Sequence, residues 1–190
     1  MPILLLILLT PIGGLLFQLL ITINIYLLYS FISLLNNDIK KDLKRIGYNP
    51  FDLSVSSIDD FNTITFYKGI PIFKTNRKRS GSFCFIILYR NISNTDFKHV
   101  LLHEYGHIFQ QLLLGPLKYL FMIGLPSFFQ WSKRSYYKRP WEITADIFGN
   151  NNSNHIQNDI NRGFLYLIAS ALFAPLSYLF IINEYKNIEH

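Results

Sequence analysis

Charge is scarce in this chain, and the scarcity is uneven. Only 16% of the 190 residues are Asp, Glu, Lys or Arg, against 50% hydrophobic, a balance poor in charge for a soluble protein. From Met1 to Asn37 there is no charged side chain at all. A single cysteine, Cys84, excludes an internal disulfide and fits a reducing compartment. It lies in an apolar, strand-like run and reads as packing rather than as a nucleophile. Repeats and Gly/Ser linkers are missing, so the length reads as one domain's worth of chain. The net charge of +6 suits anionic lipid heads. It comes without a nucleic-acid-binding module, so no nucleic acid is expected as a partner.

What is present in excess is long apolar sequence. Ile3 to Leu35 exceeds the length needed to cross a bilayer core of ~30 Å. No Lys or Arg precedes it and it is too long for a signal peptide, so residues 1–37 are expected to be a retained transmembrane anchor. Phe164 to Asn183, with Pro175 inside, is a second span of about minimum length, within a C-terminal segment 164–190. Leu112 to Phe129 is a third apolar run, interrupted by Gly115, Pro116, Gly124 and Pro126.

Glu occurs only four times, and one copy stands in His103-Glu104-Tyr105-Gly106-His107, an H-E-x-x-H sequence. On a helix, residues four apart share a face, so both imidazoles can reach one metal ion. Two neutral imidazoles plus a carboxylate suit zinc. Glu104 then sits where it can take a proton from the metal's water. Asn94, Thr95 and Asp96 offer N-cap side chains for a helix over Phe97 to Leu114. Catalytic zinc usually takes three protein ligands, and the best candidate for the third is Glu142 in Trp141-Glu142-Ile143-Thr144-Ala145-Asp146. Asp146, four residues on, is placed to accept the second ring N–H of a ligating His. Pro140 suits the start of that helix and Gly149 its end, and Ala145 would let the two helices approach closely.

H-E-x-x-H followed by E-x-x-A-D resembles the gluzincin metallopeptidases. Within that class the match is closer to the membrane-embedded kind, the prenyl-protein (CAAX) proteases and HtpX-like membrane proteases, or a small bacterial branch beside them. The resemblance covers two short motifs and the order of apolar segments. It implies one zinc per chain on His103, His107 and Glu142, a general base at Glu104 and a supporting role for Asp146.

A single crossing by Leu112 to Phe129 would put His107 and Glu142 on opposite sides of the membrane. The run is therefore expected to be a re-entrant hairpin over 112–130, inside a catalytic region spanning 38–163. Lys40, Lys41, Lys44 and Arg45 follow the first span, and Lys133, Arg134, Lys138 and Arg139 follow the hairpin. The positive-inside rule puts both in the cytoplasm, so the expected location is a bacterial inner membrane with the site facing the cytosol. Asp38 to Arg45 reads as a short amphipathic helix on the membrane surface. Thr63 to Lys68, Ile70 to Thr75 and Ser82 to Arg90 read as strands of a small antiparallel sheet, whose edge could bind an extended substrate or simply cover the helix.

The expected fold is thus a mainly helical α+β membrane protein with zincin-like site helices, and the expected activity is zinc-dependent hydrolysis of peptides or membrane proteins. Tyr136, Tyr137 and His155 are candidate oxyanion donors; His99 is more simply a packing or surface residue. The competing readings are a non-catalytic structural or zinc-binding membrane protein, and a membrane protein without a metal.

Overall fold

The computed structural model describes residues 9–47, 55–76, 78–130, 136–151, 159–172, 179 and 181–183. Helix dominates. α1 is Pro11–Ile32, started by Thr10, whose side chain accepts from the Gly13 N–H. α2, Asn37–Ile46, is capped by Asn36. It is amphipathic as expected, but Ile46 packs with Ile64 and Phe66 of the sheet and with Tyr26 and Tyr29 of α1. Its apolar side is therefore spent on protein rather than on lipid. Its buried Asp42 carboxylate accepts from the N–H groups of Asn62, Thr63 and Ile64, donors at the entry to the first strand that would otherwise go unpaired.

The sheet is mixed, which corrects the antiparallel expectation. β1 (Ile64–Tyr67) and β2 (Ile70–Thr75) form a hairpin through Lys68-Gly69. Both turn residues have positive φ, 48° and 79°, as a two-residue hairpin requires. The third expected strand is split into β3 (Gly81–Ser82) and β4 (Ile86–Tyr89), in the order β1-β2-β4-β3. After β2 the chain travels to the far edge, lays down β3, turns at Cys84 (φ 59°) and runs β4 back into the gap, parallel to β2. Pro71 is tolerated because β4 begins pairing only at Ile72.

α3, Asn94–Leu114, packs Phe97, Leu101 and Ile108 against Ile72, Ile86 and Leu88 of the sheet. Its cap is Ser93, ahead of all three expected candidates, Asn94, Thr95 and Asp96, which lie in the first turn; the Ser93 hydroxyl accepts from the Asp96 N–H at 3.1 Å. Gly115 (φ 77°) ends α3 and turns the chain into α4 (Pro116–Tyr119), a π-helical turn (Leu120–Gly124) and α5 (Leu125–Gln130). The run expected to form a hairpin over 112–130 instead turns once, at Gly115, and continues as helix to Gln130 through Gly124 and Pro126, so no hairpin forms within it. Pro126 has no N–H for the Met122 carbonyl four residues back, and the Tyr166 hydroxyl donates there instead.

α6 (Pro140–Gly149) and α7 (Ile160–Leu172) complete the described elements. The Ala171 carbonyl near the end of α7 accepts from Lys118 Nζ at 2.8 Å. Arg139, expected in a basic surface cluster, is buried at the cap of α6. Among the described residues one helix, α1, is long and apolar enough to cross a membrane. α7 has 13 described residues, short of the ~20 a span needs; the rest of the expected second span lies largely outside the described residues.

Candidate metal centre

The centre is built by two helices in backbone contact. A Cβ on Gly106 of α3 would lie 1.8 Å from the Ala145 carbonyl oxygen of α6, and one on Gly149 would lie 1.9 Å from that of Leu102. The close approach thus needs glycine on both helices, and Ala145 contributes its backbone. His103 and His107 flank Gly106, and Glu142 and Asp146 flank Ala145 at similar spacing. The crossing therefore drives two imidazoles and two carboxylates into one buried cluster.

Both His Nε2 atoms face the same carboxylate oxygen, Glu142 Oε2, at 3.0 Å from His103 and 3.3 Å from His107. Their Nδ1 atoms are taken from behind. His103 Nδ1 lies 2.7 Å from Asp146 Oδ1, and Asp146 also accepts from Asn151 Nδ2 at 2.7 Å. His107 Nδ1 lies 2.7 Å from Gln110 Oε1. The Gln110 amide nitrogen donates to the Trp141 carbonyl and to Thr144 Oγ1, each at 2.6 Å, which leaves its oxygen as an acceptor for the ring. Both rings are therefore held with Nδ1 donating and Nε2 turned inward, the tautomer a metal ligand needs. The second Glu142 oxygen, Oε1, accepts from Ser127 Oγ at 2.7 Å.

Two ring nitrogens and an oxygen converging within 4.8 Å present a buried set of lone pairs to one point. Such a set calls for a cation. Tetrahedral zinc with bonds of about 2.0–2.1 Å places neighbouring donors roughly 3.3 Å apart, close to the 3.0 and 3.3 Å from Glu142 Oε2 to the two Nε2 atoms, so these residues could hold a metal ion. Burial alone would raise the Glu142 pKa, but the His107 charge and the bonds from both imidazoles hold it well below the usual carboxylate range. Burial would lower the His103 pKa, but the bonds to Asp146 and Glu142 raise it well above the usual value.

Glu104 is buried beside this cluster without joining it. Its Oε2 accepts from Ser82 Oγ of the edge strand β3 at 2.8 Å, and the Ser82 carbonyl accepts from Tyr119 OH at 3.2 Å. Of the candidate oxyanion donors, Tyr137 stands at the rim, with its ring 5.8 Å from His103. The Tyr136 side chain and His155 lie outside the described residues. His99 joins the site indirectly, its Nδ1 at 2.8 Å from Asn151 Oδ1.

Gln110 carries one faint signal in the sequence, its position one turn after His107. Ser82, Ser127 and Asn151 reach the site only through tertiary folding and carry none. Gln110→Ala leaves the His107 Nδ1–H without its acceptor and takes one donor from the Trp141 carbonyl and from Thr144 Oγ1. Metal affinity, read by competition with a chromophoric chelator, is expected to weaken about 10–100-fold with helical content unchanged. An unaltered affinity would mean that the Gln110 bond does not hold the ring.

No family model matches the chain, and neither the curated proteins nor the solved structures include a match to it.

Proposed function

We propose that this chain is a zinc-dependent peptidase of the gluzincin kind, working at a membrane. The observation that carries the reading is the convergence of His103 Nε2, His107 Nε2 and Glu142 Oε2, with Glu104 buried alongside and kept out of the ligand set. His103, His107 and Glu142 would hold the ion. An ion held there would supply Lewis acidity, enough to lower the pKa of a bound water toward ~7 and to polarise a carbonyl. Glu104 is the group that takes a proton and returns it to the leaving amine. Ser82 holds one of its oxygens and so aims the other. Asp146 and Gln110 keep both imidazoles in register, and Ser127 orients the Glu142 carboxylate through Oε1. The apolar α1 and the exposed lysines of α2 support a membrane surface with anionic headgroups as the place of work. Peptide segments at that surface are the substrate class proposed.

The test is metal content by mass spectrometry on detergent-purified protein, wild type beside Glu142→Ala. About one zinc per chain in the wild type, largely lost in the variant, is the expected result. A wild type free of metal after chelator-free purification would reject the reading.

A further inference from the structure

α1 is long enough to cross a bilayer, yet the rest of the protein lies along its whole flank. A Cβ on Gly14 would meet the Leu112 carbonyl of α3 at 2.9 Å. One turn on, Gln18 donates to the Cys84 carbonyl. Cys84 in turn is tied to α3 through Gln111, whose Oε1 accepts from the Cys84 N–H at 2.8 Å. The next turn brings Thr22 against the Gly69 carbonyl at 3.5 Å. Tyr26 then meets Phe66, and Tyr29 meets Phe73, with ring centroids 6.0 and 5.4 Å apart. From Gly14 to Tyr29 this contact line covers about 22 Å of helix axis, most of a hydrocarbon core of ~30 Å.

A crossing α1 would carry the sheet into the hydrocarbon with it. Thr22 is close to the middle of α1, and the turn it touches is Lys68-Gly69. The Lys68 side chain is exposed, so a charge and an irregular turn would sit near the bilayer midplane. Lipid-exposed loops do not occur at that depth, and a charge there is costly. The uncovered side of α1 is of another character. Leu15, Leu19, Ile23, Leu27 and Phe31 form an exposed stripe that runs its full length. Asn24, the polar residue on that side, spends its amide on the helix's own Leu20 carbonyl at 2.7 Å. Directly after α1, Lys40, Lys41, Lys44 and Arg45 of α2 are all exposed, a set complementary to anionic headgroups. Protein covers one flank of α1 and exposed apolar side chains face away from it, so the helix can rest with that face in a leaflet while the sheet stays out of the hydrocarbon.

We infer that α1 lies flat in one leaflet of an anionic bilayer, stripe down, and does not span it. The protein then sits on a single membrane face. The condition that His107 and Glu142 share a side is met without any re-entrant loop. This inference is independent of what the metal centre catalyses.

The test measures depth. Cysteine is introduced singly at Ile12, Leu19 and Leu27, exposed positions 75%, 43% and 61% accessible along the stripe, and each variant carries a nitroxide. Cys84 stays unlabelled because it is buried and its thiol is pushed up to about 11. Full-length protein is placed in vesicles of phosphatidylglycerol and phosphatidylethanolamine, with circular dichroism confirming the wild-type helical content. Accessibility to oxygen and to a water-soluble nickel chelate then gives each depth. A flat α1 puts all three labels in the hydrocarbon within about one helical turn, ~5 Å, of the same depth. A spanning α1, centred near Thr22, puts Leu19 deepest, Leu27 about 4–5 Å shallower and Ile12 about 10 Å shallower, and that drop of Ile12 toward the surface would overturn the inference. So would full exposure of all three to the nickel chelate.

Discussion

Glu104→Gln is expected to remove hydrolysis while the metal stays in place. Glutamine matches glutamate in size and can still accept the Ser82 hydroxyl, so the buried pocket keeps its packing and its hydrogen bond. What it loses is the ability to take and return a proton, a contribution worth about 10²–10⁴ in rate. Zinc content should be unchanged, because Glu104 is not among the three converging ligands. Peptide cleavage detected by mass spectrometry, with metal analysis on the same samples, separates three cases. Cleavage by wild type alone, with equal zinc in both, is the expected result. Undiminished cleavage in the variant would reject Glu104 as the base. Equal zinc with cleavage by neither protein, across a broad peptide library, would favour a metal site kept without catalysis. Ser82→Ala provides a graded control. It removes one hydrogen bond to Glu104 and should lower the rate far less than Glu104→Gln.

The part of this site legible in the sequence is the part written in helix periodicity. His103 and His107 share a spacing with Glu142 and Asp146, and a four-residue spacing is a statement about one helix face wherever the helix sits. The structure brings the two pairs together through His103–Asp146, His103–Glu142 and His107–Glu142, a meeting that the spacing within each helix does not determine. The sheet was harder to read. β3 and β4 are two and four residues long, and the choice between antiparallel and parallel pairing for β4 rests on which gap it enters, a decision made by the packing of Ile86 and Leu88 against α3. Pro126 looked like a helix breaker and is not one, because a tyrosine 40 residues later supplies the missing donor. The N-terminal run reads by composition as a span. The Gln18 and Thr22 contacts that give α1 a protein-covered side cannot be seen until their partners, Cys84 and Gly69, are placed. Ser127 and Asn151 remained silent for the same reason. Each touches a carboxylate of the centre from an element whose position only the fold determines.

Gly106 occupies one of the two unspecified positions of the H-E-x-x-H sequence, and it is the position where the largest loss of stability is expected. In an isolated helix, replacing Gly with Ala would stabilise by about 1 kcal/mol. Here the added methyl would fall 1.8 Å from the Ala145 carbonyl oxygen, far inside van der Waals contact, and the obstacle is backbone on both sides. α3 and α6 must separate, giving up the packing around the crossing. A loss of more than about 3 kcal/mol is expected for Gly106→Ala, or roughly 6–12 °C in Tm for a chain of this size. The metal should go with it, since His103 and His107 ride on one helix and Glu142 on the other. Zinc should therefore raise the Tm of the wild type by ligand linkage and leave that of the variant nearly unmoved. Gly81→Ala is the matched control. A Cβ there meets nothing within 4 Å, so its effect should stay within about 0.5 kcal/mol. Thermal melts of the three proteins, with and without added zinc, decide the matter. A Gly106→Ala protein that melts with the wild type and keeps its zinc response would mean that the helices do not cross at van der Waals contact, and the centre would have to be assembled some other way.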